Sequence, residues 1–329
     1  MSTTTRPAFV SGNFPDFSKK NLRVLLSAHG YSYSGSLNQG VEVVFSSKDD
    51  AKVQAARARG AQIVSPDQLR EVLGAPLSGF LDRLKARIAQ REPDRGFTTH
   101  ILAAGEPASP EVLARVEERI GFDLPEDARQ LWSQLNGLSI LWLNSYGKEP
   151  PDPLKGTGLS RDSLIPWSEG CHDGGTLWTE IERMRTTNNI KAMMGLCCIP
   201  PVETIFETTW DGVMFSSDSY GAKDKLKIGR RKVNAKDFFA NLFMFDLFHP
   251  YYQAGLWADR EKQTLSVVYS SDHGADWEFA EPLSLELYME QLVDKQGGDR
   301  IITPGRGIRT QAIKGYYGTT GHKVLDPFS

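Results

Sequence analysis

The chain has 329 residues, 40% of them hydrophobic and 24% charged, with a net charge of −3. These values fit a globular protein of about two domains, and three cysteines exclude a fold stapled by a disulfide framework. No apolar run approaches the ~20 residues of a membrane span, and the opening MSTTTRPAFVSG lacks the charged-then-apolar layout of a secretory leader, so a cytoplasmic protein is expected.

The small net charge hides an asymmetry. Residues 1–95 hold 14 Lys/Arg and 9 Asp/Glu, residues 96–298 hold 19 and 30, and residues 299–329 hold 5 and 2. A basic head, an acidic middle and a basic tail point to different partners for different parts, against the alternative of chance variation between surfaces.

In chain order, residues 1–6 are expected to be a disordered lead. Pro7–Val10 predicts a buried first strand, ended by Ser11-Gly12. Ser18–Gly30 predicts a helix, with Leu22, Leu25, Leu26 and His29 on one face. A strand near Tyr31–Ser34, a turn at Asn38-Gln39-Gly40 and a strong strand Val41–Phe45 follow. Asp49–Arg59 predicts a helix with Ala51, Ala55 and Ala58 on one face. Ala61–Val64 is a further strand. Ser65-Pro66-Asp67-Gln68 has the form of a capping box ahead of a last helix with Leu69, Val72 and Leu73 inward. Helix-separated strands imply a mainly parallel sheet with helices on both faces, an α/β unit.

This order, with the strings Val10-Ser11-Gly12, His29-Gly30-Tyr31, Ser34-Gly35-Ser36-Leu37, Val41 to Phe45 and Lys52 to Leu73, resembles the BRCT domain over residues 7–75. The likeness is greatest to the type that ends bacterial NAD-dependent DNA ligases. The sequence departs from that pattern in two places: Leu69 stands near the usual tryptophan, and a single glycine, Gly30, follows the first helix. The resemblance implies a phosphate site at Ser11, Gly12 and Lys52. A hydroxyl and a backbone N–H donate to phosphate oxygens, an ammonium supplies the charge, and a helix N-terminus adds its dipole. The alternative is a tight turn at Ser11-Gly12 and a solvated Lys52. Lys19, Lys20, Arg23, Arg57 and Arg59 would extend a basic surface for nucleic acid, or are ordinary solvated charges.

Residues 76–96 form a linker: Pro76–Glu92 predicts a helix whose stripe, Leu77, Phe80, Leu81, Leu84 and Ile88, docks on its own chain or forms a dimer contact, and Pro93-Asp94-Arg95-Gly96 breaks it. In Ser109–Leu138, Ser109 caps a helix with Pro110 at its first position, Gly121 ends it, Pro125 restarts helix, and Asn136-Gly137 stops it. Leu143–Leu164 then predicts a long loop, Thr176–Met184 a helix, and Cys197–Ile205 and Thr209–Ser216 strands, the latter folding back around Asp211-Gly212. Asp237–Phe248 predicts a buried helix. Gly255–Tyr269 predicts two strands around Asp259–Lys262, and Leu283–Leu292 a closing helix. The order is α+β.

The first helix ending in Gly121, the Leu124-Pro125-Glu126 step and the helix ending in Asn136-Gly137, with Glu117, Ile120 and Leu131, resemble the signature of the SUKH superfamily. That group includes fungal cell-wall regulators and bacterial toxin-immunity proteins. The resemblance covers residues 97–298, with insertions, and implies a sheet packed with helices that binds a protein partner. A basic, Gly-rich arm, residues 299–329, closes the chain. Its Arg306 and Arg309 would contact nucleic acid, or the arm would pack on the domain.

No catalytic constellation emerges. Cys171-His172-Asp173 are sequence neighbours rather than a spatial triad. Cys197-Cys198 lie in an apolar run. Asp211, Asp218, Asp259, Asp272 and Asp276 suit hairpin turns. No metal spacing and no cofactor motif appears. The expectation is a non-catalytic adaptor: the second domain binds, or inhibits, a protein partner such as a basic toxin or nuclease, and the head binds phosphate on DNA or on a partner. The alternatives are a DNA-binding factor in repair or antiviral defence, and a hydrolase built on Cys171 or the turn carboxylates.

Overall fold

A computed structural model describes residues 5–15, 17–145, 152–167, 177, 183, 193–248, 253–270 and 282–297. Four parallel strands, β1 (Arg6–Ser11), β2 (Tyr31–Tyr33), β3 (Val43–Ser46) and β4 (Gln62–Val64), form a sheet of order β2-β1-β3-β4. Three helices, α1 (Lys19–Ala28), α2 (Ala51–Ala58) and α3 (Leu69–Leu73), follow β1, β3 and β4. Leu22, Leu25 and Leu26 of α1 and Leu69 and Leu73 of α3 join Ala8, Val10, Val43 and Phe45 in one core. Val53 and Ala56 of α2 pack with Val41 and Val44 in another, on the opposite face. The α/β expectation for this part therefore holds.

Its details need three corrections. The inward face of α2 is Val53 and Ala56, while Ala51, Ala55 and Ala58 are exposed, because the larger side chain decides which face is buried. The Gln68 side chain does reach back to the Ser65 N–H (3.2 Å), but α3 begins only at Leu69. Arg6, placed in the lead, already pairs with Tyr31 in the sheet.

The described residues beyond this sheet form antiparallel sheets with helices. Strands β5 (Phe97–Ala104), β6 (Leu138–Asn144) and β7 (Met193–Ile199) form one sheet. Helices α5 (Pro110–Ile120) and α6 (Glu126–Trp132) lie between β5 and β6 in sequence. Ser109 caps α5 through the Val112 N–H, and Gly121 closes it at φ +86°. Then come α7 (Val202–Glu207), a hairpin of β8 (Lys225–Ile228) and β9 (Arg231–Asn234), and α8 (Ala235–Ala240). The last elements are β10 (Leu242–Asp246), β11 (Gln253–Asp259), β12 (Thr264–Ser270), β13 (Leu283–Ser284) and α9 (Leu285–Lys295). The sheet β10-β11-β12-β13 joins the other one at β7. The Leu247 N–H donates to the Cys198 carbonyl (2.9 Å), and the buried Asp246 carboxylate accepts from the Cys198 N–H (2.8 Å) and the Tyr288 hydroxyl (2.5 Å).

Several expectations fail here. The loop expected over Leu143–Leu164 starts later, because Leu138–Asn144 is the central strand of a sheet. The Cys197–Ile205 run is the end of β7 plus α7. Thr209–Ser216 is no hairpin: among the described residues its only pairing is a single bridge, Asp211 to Phe215. Asp237–Phe248 is the end of a short helix followed by β10. The β11–β12 hairpin and the closing helix fall where expected. Most of Thr176–Met184 lies outside the described residues.

The helix α4 (Phe80–Ala89) buries Phe80, Leu84 and Ile88, with Leu77 before it, in the large core of the second sheet system. Val24 and Ala28 of α1 belong to that same core. Both helices meet α9, whose residues Leu285 to Val293 are buried without exception. Glu286, Glu290 and Asp294 recur along α9 at four-residue spacing, so they share a face. Arg70 clamps Glu286 with two hydrogen bonds (2.5 and 2.8 Å). Arg83 pairs with the fully buried Glu290, and His29 Nε2 lies 3.5 Å from the same carboxylate. Ser27 donates to Asp294. Asp127 accepts from the Glu286 N–H (3.0 Å), and burial pushes its carboxyl above the ordinary value. Arg83→Ala leaves Glu290 buried without its guanidinium and is expected to cost about 3–5 kcal/mol of unfolding free energy. Arg115→Ala, which removes an exposed pair with Glu207, is expected to cost under about 1 kcal/mol. Urea titration of both variants checks the difference.

His100 stands at the bulge where the β5–β6 register shifts. Burial holds its imidazole below the ordinary 6.5, against an opposing pull from Asp152 at 3.7 Å. The unfolded chain then binds the proton more readily than the folded one. Stability is accordingly expected to fall as pH drops below 6.5 toward the folded value. In His100→Gln that part of the pH dependence is expected to vanish, as thermal melts across pH 5–7.5 would show.

Candidate functional site

The strand order sends the chain from β1 to β2 on one side and from β3 to β4 on the other. The crevice at the carboxyl ends of β1 and β3 is therefore a topological switch point, where open α/β sheets take ligands. Ser11 ends β1 and pairs with Ser46 at the end of β3. Beyond them Gly12 turns at φ +80°, and a Cβ there would run into the Ser47 hydroxyl. That hydroxyl accepts the Asn13 N–H (2.8 Å), and the Ser47 N–H donates to the Ser11 carbonyl (3.3 Å). The buried Ser46 hydroxyl holds the second loop. It donates to the Lys48 carbonyl (3.0 Å) and accepts the Lys48 N–H (3.1 Å).

Two ammonium groups belong to this edge. Lys48 packs its stem beside Gly12, its Cγ 3.2 Å from where a Cβ would stand. Lys52 lies in the first turn of α2, which leaves β3 by the same loop. Both lysines are exposed, and among the described residues neither has a carboxylate partner. Ser11 is half-buried. The arrangement offers a hydroxyl and two cations around a tight glycine turn, which suits a phosphate monoester or diester.

The α2 dipole does not add to this set as expected. Asp50 caps the helix and takes the Lys52 and Val53 N–H groups (3.0 and 3.1 Å), so an anion there is already supplied by the chain. Lys48 carries no signal in the local sequence. Its place depends on β1 and β3 being neighbours, and no local pattern announces that.

The wider basic surface divides. Lys19 and Lys20 are exposed at the start of α1, on the other face of the sheet from α2. Arg59 is the C-cap of α2, at the far end of that helix from Lys52. Arg57 pairs with Asp49 (3.1 Å), and Arg23 stacks 3.7 Å from the Tyr33 ring centre. Arg306 and Arg309 lie outside the described residues, as do Cys171, His172, Asp173, Asp272 and Asp276. Cys197 and Cys198 are buried in β7. Asp211 holds the Ser217 N–H and hydroxyl, and Asp259 pairs with Arg231. Among the described residues no three metal-ligating side chains gather, and no helix is long and apolar enough to cross a membrane.

Compared with known proteins, the chain matches no family model and no curated sequence. The BRCT and SUKH resemblances therefore rest on the strings that carry them.

Gly12→Ala is expected to lose about 1–2 kcal/mol from its left-handed backbone alone, and more from the Ser47 contact. Adding Ser47→Gly is expected to restore the second part only. Denaturant midpoints of the single and double variants separate the two.

Proposed function

We propose that the chain is a non-catalytic binding protein that captures phosphate in the β1–β3 crevice. The observation that carries this reading is the convergence of Ser11, Gly12, Lys48 and Lys52 on a switch point. The BRCT resemblance supports it from the sequence side. Phosphopeptide capture in that family usually takes two packed units, and the described residues hold one such sheet, so phosphate on DNA is the better ligand. A factor that works at DNA, in repair or antiviral defence, follows from that choice.

The SUKH resemblance gives the second unit the other half of the role, binding or inhibiting a protein partner. Glu106, Glu111, Glu118, Asp123 and Glu126 are exposed around α5 and α6 and would meet a basic partner. Charge complementarity of this kind speeds encounter more than it deepens affinity.

The test is binding of the full chain, and of Ser11→Ala/Lys52→Ala, to DNA with and without a 5′ phosphate at two salt concentrations. The expected result is a preference for the phosphorylated end that the double variant loses. Equal affinity of both proteins for both ends would remove the crevice from the function and leave the protein-binding role alone.

A further inference from the structure

The acidic second unit contains one strongly basic element. Residues 222–236, AKDKLKIGRRKVNAK, carry seven Lys or Arg and one Asp. They form the β8–β9 hairpin and the start of α8, a two-stranded sheet separate from the others. Gly229 (φ +58°) and Arg230 make its tight turn. The alternation is strict on β8. Leu226 and Ile228 are buried, while Lys225 and Lys227 point outward.

The inward and outward charges are treated differently. Arg231, half-buried, is neutralised by Asp259 and Glu261. The sole acid, Asp224, turns to the local backbone and accepts the Gly221 N–H (2.7 Å). On the outward side Lys227 stands directly across from Lys232, with Lys225 one outward position along. Lys223, Lys225, Arg230, Lys232 and Lys236 are exposed, and among the described residues none has a carboxylate partner. A hairpin that needed only solubility would interleave acids with these cations.

We propose that the outward face of the β8–β9 hairpin is a nucleic-acid contact surface that grips the phosphodiester backbone. Outward residues two apart on a strand are about 6.7 Å from one another, and a two-stranded ribbon is narrow enough to enter a duplex major groove. The face carries no exposed aromatic or large apolar side chain, so it lacks the wedge that a membrane surface takes up and the anchor that a protein interface needs. Lysines without base-reading amides position a duplex but do not read its sequence. The surface is distinct from the β1–β3 crevice and does not rest on it.

The test uses the full chain and a blunt duplex without terminal phosphates, so that no terminal phosphate is offered to the crevice. Binding is measured by anisotropy from about 50 to 200 mM salt. Lys225→Glu/Lys232→Glu is expected to weaken binding at least tenfold and to lower the salt slope by about 2. Lys232→Glu places an acid opposite Lys227, so the hairpin variant is expected to melt no lower than the parent, which separates lost contact from lost fold. Lys225→Gln/Lys232→Gln gives a milder loss in the same direction. Unchanged duplex affinity in both hairpin variants overturns the proposal. So does an absence of duplex binding combined with hairpin-dependent binding to phosphatidylserine vesicles or to polyglutamate.

Discussion

The structure turns on the acidic edge of α9. A helix buried along nine consecutive residues would ordinarily be apolar all round. This one carries Glu286, Glu290 and Asp294 in a row, and each is answered from outside the second unit: by Arg70, by Arg83 with His29, and by Ser27. The opposite side of the helix holds Tyr288, whose hydroxyl reaches the carboxylate that ties β10 to β7. One helix therefore joins the parallel-sheet unit, the linker helix and the two larger antiparallel sheets. The ion pairs on it add little net stability, since desolvation offsets most of their attraction. What they supply is register. Sliding α1 and α4 along α9 by a turn would leave a buried carboxylate without its base.

That junction changes the meaning of the charge asymmetry. The basic head and the acidic middle are in part complementary to each other. Arg70, Arg83 and His29 come from the head and linker, and the two carboxylates they meet, Glu286 and Glu290, from the last helix of the middle. Asp246, Asp259 and Glu290 are buried, and count toward the sequence total without contributing to the surface. A net charge summed along a chain does not separate acids that face solvent from acids consumed inside. The middle segment accordingly holds both a basic hairpin and an acidic helical face, and neither is visible in its total of −11.

What the sequence disclosed followed from periodicity. The strands and helices of the head alternate at short range, each with its own stop signal, so their order and the parallel sheet were legible. The second unit hid its strands where burial is complete. In β6, LSILWLN, every residue is buried, which erases the two-residue alternation that identifies a strand. Gly195 faces Trp142 across that sheet, where any Cβ would overlap the indole; in the sequence it is only an isolated glycine in an apolar run. The run after Ala240, LFMFD, is apolar enough to be helix or strand, and its pairing with β11 decides for strand. The crevice divides the same way. Ser11, Gly12 and Lys52 were legible through a family likeness, whereas Ser47 and Lys48 are 35 or more positions from Gly12 and meet it only through strand pairing.

The self-capped α2 bears on how tightly the crevice can hold an anion. Asp50 occupies the helix terminus, so the positive field at Ser11 comes from two exposed lysine side chains that lose conformational freedom when they close on a ligand. A single phosphate held this way is bound weakly. Affinity would rise if the same strand also met the β8–β9 face, because the second contact is then intramolecular and its strength depends on how well the span is fixed. The acidic row on α9 fixes the docking of the head on the second unit. Loosening that docking would weaken a two-point grip without touching either phosphate contact.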